Sequence, residues 1–253
     1  MLLETAKDLA YAAGKILRDK LIEGFTIEHK ADIDLVTDAD KAAENLLTAA
    51  IMKGFPTHGI LAEEGGSLGN QEAELLWVID PLDGTTNYVH RFPYFSVSLA
   101  VLERGQTVVG VVYNPVTDEM FSAEKGYGAW LNDGIIRVSK TETLKQSLLA
   151  TGFPYDMTLE QNNINNYGVL VKQTQGVLRL GSAALDLCQV ASGRLDGFWE
   201  YSLNPWDMAA GALIVAEAGG TVTNTAGKPL DIYGGHVLAT NGPLHQKLLA
   251  SIT

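Results

Sequence analysis

One cysteine, Cys188, is all the sulfhydryl chemistry that 253 residues offer. No internal disulfide can form, and nothing points to an oxidising compartment. Set in Leu-Asp-Leu-Cys-Gln-Val, that thiol reads as a small core residue. Positive charge is also scarce: 18 Lys and Arg stand against 30 Asp and Glu, for a net charge of −12. This balance argues against nucleic acid as a partner and against anionic membrane surfaces. No apolar run approaches the ~18 residues of a membrane span. Glu4, Lys7 and Asp8 interrupt any signal-peptide core. Internal repeats and low-complexity segments are missing as well. The expectation is a cytoplasmic protein without a membrane or nucleic-acid partner. What is present is ordinary for a globular chain, with 46% hydrophobic and 19% charged residues. The length suffices for one large domain or two small ones.

An acidic chain that handles an anionic substrate needs local positive charge, and bound metal ions supply it. The stretch Leu75-Leu-Trp-Val-Ile-Asp-Pro-Leu-Asp-Gly-Thr-Thr-Asn87 has the chemistry for that. Leu75 to Ile79 reads as a buried strand. Pro81 has no N–H and is expected to end the ladder at Asp80. Asp80 and Asp83, three apart across a turn, aim carboxylate oxygens at one point, an arrangement that hard divalent cations favour. Gly84, Thr85 and Thr86 offer free N–H groups and two hydroxyls suited to an anion. A strand, an Asx-turn and a helix cap account for the same residues without any ligand.

Along the chain, Leu2, Ala6, Leu9, Ala13, Ile16 and Leu17 lie at helical spacing, and Gly24 ends that helix. Thr37 is placed to cap a helix running to Gly54, with Asp38 and Asp40 in its first turn. Gly59 to Ala62 is a short strand that ends in Glu63 and Glu64. If it neighbours the Leu75 strand, Glu63 stands beside Asp80; otherwise the pair is a solvated turn. Residues 95–129 read as an antiparallel meander whose apolar runs predict a sheet covered on both faces. Ser139 to Lys145 is polar, and the boundary between two halves, 1–142 and 143–253, is placed near residue 142. Beyond it strands and helices alternate, which predicts a largely parallel sheet with covering helices. Leu180-Gly181-Ser182-Ala183 passes from strand to helix, with Ser182 either a plain N-cap or part of a ligand site. Asp207 heads a helix that is apolar almost all round, and is either a cap or a carboxylate fixed at the centre of the fold. Arg179 and Arg194 read as surface residues.

Glu63, Asp80, Asp83 and Asp207 are thus acids at the ends of four buried elements. At ~4 Å and an effective dielectric near 20, each like-charge pair costs about 4 kcal/mol. Two or three Mg²⁺ would offset that and leave room for a phosphate dianion.

Trp77-Val-Ile-Asp-Pro-Leu-Asp-Gly-Thr-Thr-Asn-Tyr88 resembles the metal-binding signature of the inositol monophosphatase family. Asn204-Pro-Trp-Asp-Met-Ala-Ala-Gly211, followed by Glu217-Ala-Gly-Gly220, resembles its C-terminal signature. Asp34-Leu-Val-Thr37 through Asp40, and Ala62-Glu63-Glu64, match in order, so the resemblance covers essentially the whole chain. It implies a layered α-β-α-β-α sandwich of the α+β or α/β class, the N-terminal sheet mostly antiparallel and the C-terminal sheet mostly parallel. It implies that Glu63, Asp80, the Leu82 carbonyl, Asp83 and Asp207 hold two or three Mg²⁺. Gly84 and Thr85 amides would bind phosphate. Thr85 paired with Asp40, together with Glu63, would orient and deprotonate the attacking water. Gly181, Ser182, Ala183 and Glu200 would meet the alcohol, with Glu200 and Asp207 accepting from sugar hydroxyls. Lys30 takes the family's basic position near the metals. The family is usually homodimeric, and many members are inhibited by lithium.

The resemblance implies hydrolysis of a small phosphorylated polyol or sugar, foremost myo-inositol 1-phosphate. Gly152-Phe-Pro-Tyr155, on the expected pocket rim, departs from the animal pattern and suggests broader specificity. Fructose 1,6-bisphosphate, 3′-phosphoadenosine 5′-phosphate and NADP are the alternative substrates, favoured if extra Lys or Arg line the pocket. A regulatory protein with secondary catalysis is the alternative of another class.

Overall fold

The computed structural model describes residues 1–29, 35–153 and 161–252. Lys30, Asp34, Pro154 and Tyr155 lie outside these residues. The first half contains α1 (Leu2–Glu23), β1 (Ile27–His29), β2 (Leu35–Thr37), α2 (Asp38–Gly54), β3 (Gly59–Ala62), β4 (Gly66–Gly69) and β5 (Leu75–Asp83). It continues with α3 (Thr85–Val89), β6 (Ser96–Glu103), β7 (Gln106–Asn114), β8 (Glu119–Glu124), β9 (Gly128–Leu131) and β10 (Gly134–Ile135). The second half contains β11 (Leu148–Thr151), α4 (Gln161–Leu170), β12 (Gly176–Leu178), α5 (Ala183–Ala191), β13 (Gly197–Glu200), α6 (Pro205–Glu217), β14 (Thr221–Thr223), β15 (Val237–Thr240) and α7 (His245–Leu249). No described helix is long and apolar enough to cross a membrane.

Eight strands form the first sheet in the order β10-β9-β8-β7-β6-β5-β3-β4. Every pairing is antiparallel except β3 with β5. Alternation explains why this sheet is apolar on both faces. Val97, Leu99 and Val101 of β6 join the core made with α1 and α2, which includes Leu17, Leu47 and Ile51. Ala100 and Leu102 join a second core with α5 and α6. That second core also takes in Phe198 and Ala239 of the other sheet. A third core sets Leu170 and Leu248 against Trp199 and Leu238. Helices and sheets therefore stack as α-β-α-β-α, the expected class.

Two expectations are corrected. The second sheet, ordered β12-β11-β13-β15-β14, is mixed rather than mostly parallel. β11 pairs parallel with β12 and β13, but β15 runs antiparallel to both β13 and β14. The parallel pairs are joined through helices, as parallel crossovers require, whereas β14 and β15 are joined by a loop. Pro81, likewise, does not end its strand. β5 continues to Asp83 through an irregularity in which Asp80 opposes Ser98 and Asp83 opposes Ser96. One extra residue on β5 absorbs the missing N–H as a bulge does.

The helix that carries Asp207 is packed from all sides: Met208 to Val215 are buried without a break. It lies so close to the sheet that a Cβ at Gly110 would stand 2.7 Å from the Ala210 carbonyl oxygen. Backbone cannot retreat as a flexible side chain does, so Gly110→Ala forces helix and sheet apart. The expected cost is about 2 kcal/mol. At ~2–4 °C per kcal/mol for a chain of this size, the melting temperature falls by about 4–8 °C. A thermal melt checks this.

Candidate active site

Each acid reaches the site through a local device. Thr37 caps α2: its Oγ1 accepts from Ala39 N at 3.1 Å and Asp40 N at 3.4 Å. In return Asp40 Oδ2 accepts from Thr37 N at 2.8 Å, which completes a capping box. The remaining oxygen, Oδ1, accepts from Thr85 Oγ1 at 3.4 Å. Thr85 Oγ1 also approaches the Leu82 carbonyl at 3.1 Å. Asp40 is fully buried, and burial pushes its carboxyl up to about 6 against the opposing pull of the Thr37 hydroxyl and amide. The capping reading and the Thr85 pairing are therefore both true of Asp40.

β3 and β5 run parallel with Ala62 opposite Ile79, and Glu63 N donates to Ile79 O at 3.2 Å. Glu63 thereby stands beside Asp80, as neighbouring strand ends require. Asp80 is buried, and its carboxyl is held well above the usual range by burial first, then by Glu63, Asp83 and Asp207. Its Oδ1 accepts from Leu82 N at 2.9 Å. Asp83 is pushed up to about 6 by burial, opposed by donors around its Oδ2. Those donors are Ala184 N at 2.9 Å, Ser96 Oγ at 3.4 Å and Ser182 Oγ. Ser182 also caps α5 by accepting from Leu185 N at 3.4 Å. Asp207 is raised by burial and by Asp83, and its Oδ2 accepts from Asn204 N at 2.6 Å.

Gly84 joins β5 to α3 with φ of 92°, a left-handed conformation that glycine adopts without strain. A Cβ there would stand 3.0 Å from the Gly181 carbonyl oxygen, so no side chain fits between the two turns. Asn87 locks them together: its Nδ2 donates to Leu180 O and to Tyr94 O, both at 2.7 Å.

Glu63, Asp80, Leu82, Asp83, Gly84 and Thr85 line one cleft holding about 180 Å³. Gly181, Ser182, Ala183, Glu200 and Asp207 line the same cleft. Gly152 and Phe153, expected at the rim, are in its wall. Asp40 stands behind Thr85. Glu200 is raised well above the usual range by burial and by Asp186, Asp207 and Asp83, with Arg179 pulling the other way.

Three residues of the neighbourhood were not legible as such. Glu44, one turn after Asp40, is buried and its Oε2 accepts from Glu64 N at 2.9 Å, which fixes the turn that presents Glu63. An acid at helical spacing from Asp40 among Ala43 and Leu47 was the available signal. Asp186 lines the cleft and accepts from Tyr94 OH at 2.7 Å. Its signal was a lone acid inside Ala-Ala-Leu-Asp-Leu-Cys. Arg179 is exposed, as expected, and is also the one cationic side chain among the cleft's described lining. Arg194 pairs with Glu119 at 2.6 Å, as a surface residue does.

The donor chemistry suits a hard divalent cation: four carboxylates from the end of β3, from β5 and from α6, and a backbone carbonyl, with Asp80, Asp83 and Asp207 all raised by burial. Among the described residues, no three His, Cys, Asp or Glu side chains close around a single point. Asp80, Asp83 and Asp207 each rest on protein donors instead.

The cleft thus sets a buried threonine backed by a carboxylate beside clustered acids and opposite a rigid Gly-Ser turn. Residues 1–253 match the inositol monophosphatase family, and the chain belongs to that family of phosphoric monoester hydrolases. It is 49% identical over 249 residues to an inositol-1-monophosphatase of Synechocystis sp., covering 97% of this chain and 86% of the relative. It is 43% identical over 258 residues to the Nus factor SuhB of Pseudomonas aeruginosa, covering 99% and 95%. Among solved structures, the inositol monophosphatase of Anabaena (Nostoc) superposes with a TM-score of 0.89 at 46% identity, covering 99% of this chain and 96% of that one.

Proposed function

We propose that this enzyme hydrolyses a small polyol phosphate, myo-inositol 1-phosphate foremost, with Mg²⁺ held by Glu63, Asp80, the Leu82 carbonyl, Asp83 and Asp207. The observation that carries the reading is that these residues share one cleft with Thr85 and Glu200. Bound Mg²⁺ supplies Lewis acidity toward phosphoryl oxygens and eases deprotonation of water. Gly84 and Thr85 amides hold phosphate oxygens at the turn that Asn87 braces. Asp40 accepts from Thr85, so the Thr85 hydroxyl oxygen is left to orient the attacking water, and Glu63 takes its proton. Attack runs in line, opposite the ester oxygen. Glu200 and Asp207 accept from ring hydroxyls, while Gly181, Ser182 and Ala183 shape the wall behind the alcohol. The same reading carries two or three Mg²⁺ per site, lithium inhibition, a homodimer and a cytoplasmic location. It also assigns metal binding mainly to residues 1–142 and alcohol binding mainly to 143–253.

Arg179 favours a second reading, in which the alcohol portion bears another anionic group, as in fructose 1,6-bisphosphate, 3′-phosphoadenosine 5′-phosphate or NADP. A guanidinium pairs readily with a second phosphate. Phosphate release with Mg²⁺ from a panel of these four esters separates the readings. At least tenfold preference for inositol 1-phosphate is expected. Comparable rates on several would mean a broad phosphatase. Preference for a bisphosphate or nucleotide would move the assignment to Arg179. No release from any would favour the regulatory role that the name of the Pseudomonas relative suggests.

A further inference from the structure

Glu200 ends β13, and its carboxylate lies against the α-carbon of Gly152, the residue that follows β11. A Cβ at Gly152 would collide with both carboxylate oxygens. The position of Glu200 in the cleft is therefore set by where the backbone at Gly152 runs. Among the described residues, a buried amide makes the short hydrogen bond to that backbone. Asn163 of α4 is fully buried, and its Nδ2 donates to Gly152 O at 2.6 Å and to Thr151 Oγ1 at 3.2 Å. Its Oδ1 accepts from Trp199 Nε1 at 2.5 Å. Thr151 Oγ1 closes the loop by donating to Trp199 O at 2.7 Å. β11 and β13 are parallel neighbours with Thr151 opposite Trp199, so Asn163 ties their ends together just before Gly152 and Glu200. A buried amide that satisfies both strand ends is a rigid brace, since an unmade bond there leaves a desolvated donor or acceptor.

We propose that Asn163 is a specificity-positioning residue: by holding the Gly152 carbonyl it fixes the surface on which the Glu200 carboxylate rests, and so aims that carboxylate at a hydroxyl of the polyol. It touches neither phosphate nor the acids around Asp80. The inference rests on the reading of Glu200 as a hydroxyl acceptor.

The readout is a selectivity ratio: kcat/KM on inositol 1-phosphate divided by kcat/KM on p-nitrophenyl phosphate, whose alcohol offers no hydroxyl to Glu200. In Asn163→Asp the Trp199 bond keeps an acceptor but the donors to Gly152 and Thr151 are lost. The ratio is expected to fall about tenfold, through KM on the inositol ester. Gly152→Ala displaces the same carboxylate with α4 intact and is expected to lower the ratio similarly. Glu200→Gln is expected to lower it by itself, and Asn163→Asp added to Glu200→Gln is expected to lower it no further. If Glu200→Gln leaves the ratio unchanged, the role of Glu200 fails and the inference with it. If Glu200→Gln lowers the ratio while Asn163→Asp and Gly152→Ala do not, the role of Glu200 stands and the inference is overturned. Equal losses on both esters in Asn163→Asp would also overturn it, as would an additive double variant.

Discussion

Asp80→Asn is expected to lower Mg²⁺-dependent kcat/KM by ~10³-fold or more and, in the metal-free protein, to raise the melting temperature. The loss follows from the placement of Asp80 between Glu63 and Asp83. A Lewis acid contributes several kcal/mol to phosphoryl transfer, and about 4 kcal/mol corresponds to ~10³ in rate. The gain follows from electrostatics. Asp80 is buried and sits in the field of Glu63, Asp83 and Asp207, so burial and like charge both penalise its ionised form. Asparagine keeps an oxygen that can accept from Leu82 N and removes one negative charge. Relief of about 1 kcal/mol corresponds to ~2–4 °C for a chain of this size. Phosphate release and a thermal melt in chelator measure the two effects on one preparation. Retained Mg²⁺-dependent turnover would refute Asp80 as a metal ligand. A lowered metal-free melting temperature would show that Asp80 supports the fold through contacts rather than burdening it.

That opposition is visible because catalysis and stability pull the same carboxylate in different directions. The contrast with Gly110 is instructive. There the demand is for space alone, and a helix lies 2.7 Å from where a Cβ would stand. At Asp80 the proposed demand is for charge, and that residue lines the cleft at the point where β5 leaves its regular register.

The resemblance to the family implied the layered class, whereas the single helices and strands and the acids Glu63, Asp80, Asp83 and Asp207 are written in local patterns. Amphipathic spacing in α1 and α2, β-branched runs from β6 to β8, and acids stationed where apolar runs stop are all read within a few residues. Glu63 beside Asp80 needed one long-range fact, that β3 and β5 are neighbours, and Ala62 opposite Ile79 supplies it. Pro81 misled because its missing N–H reads as an end, whereas a bulge absorbs it. The direction of β15 was hidden for a related reason: alternation of strands and helices predicts parallel pairing, and the loop between β14 and β15 breaks the alternation without an apolar signature. Glu44, Asp186 and the cleft-side placement of the exposed Arg179 escaped because each depends on tertiary placement. Glu44 is a polar residue on a helix face that continues an apolar stripe, and only the fold shows that Glu64 N stands opposite it.

Affinity for Mg²⁺ is expected to rise with pH, and metal-free stability to fall, because the same protons govern both. Asp83 titrates near 6 in the fold, and Asp80 and Asp207 are raised well above the usual range. In the unfolded chain these carboxyls titrate near 3.9. With folded values raised, the folded state holds more protons at intermediate pH. The stability this contributes is fully present below about 4 and is lost as pH rises through about 6 for Asp83, with Asp80 and Asp207 acting in the same sense. His58 and His245 are lowered by burial and act in the opposite sense, their contribution being lost as pH falls below about 6.5. For Asp83 the loss runs from about pH 4 through about 6, so the metal-free melting temperature is expected to fall between about pH 5 and 7, with the histidines opposing below 6.5. Mg²⁺ must displace whatever protons remain on its ligands, so each proton released steepens affinity by up to tenfold per pH unit. The upward shift in melting temperature at fixed Mg²⁺ is thus expected to be larger at pH 7 than at pH 5. Turnover should also fall below about 6 as Asp40 takes up the proton that ends its acceptance from Thr85. Titrating Mg²⁺ by calorimetry in two buffers of different ionisation enthalpy counts the protons directly. Proton release near zero across this window, with pH-independent affinity, would mean that the raised carboxylates are not the ones that meet the metal.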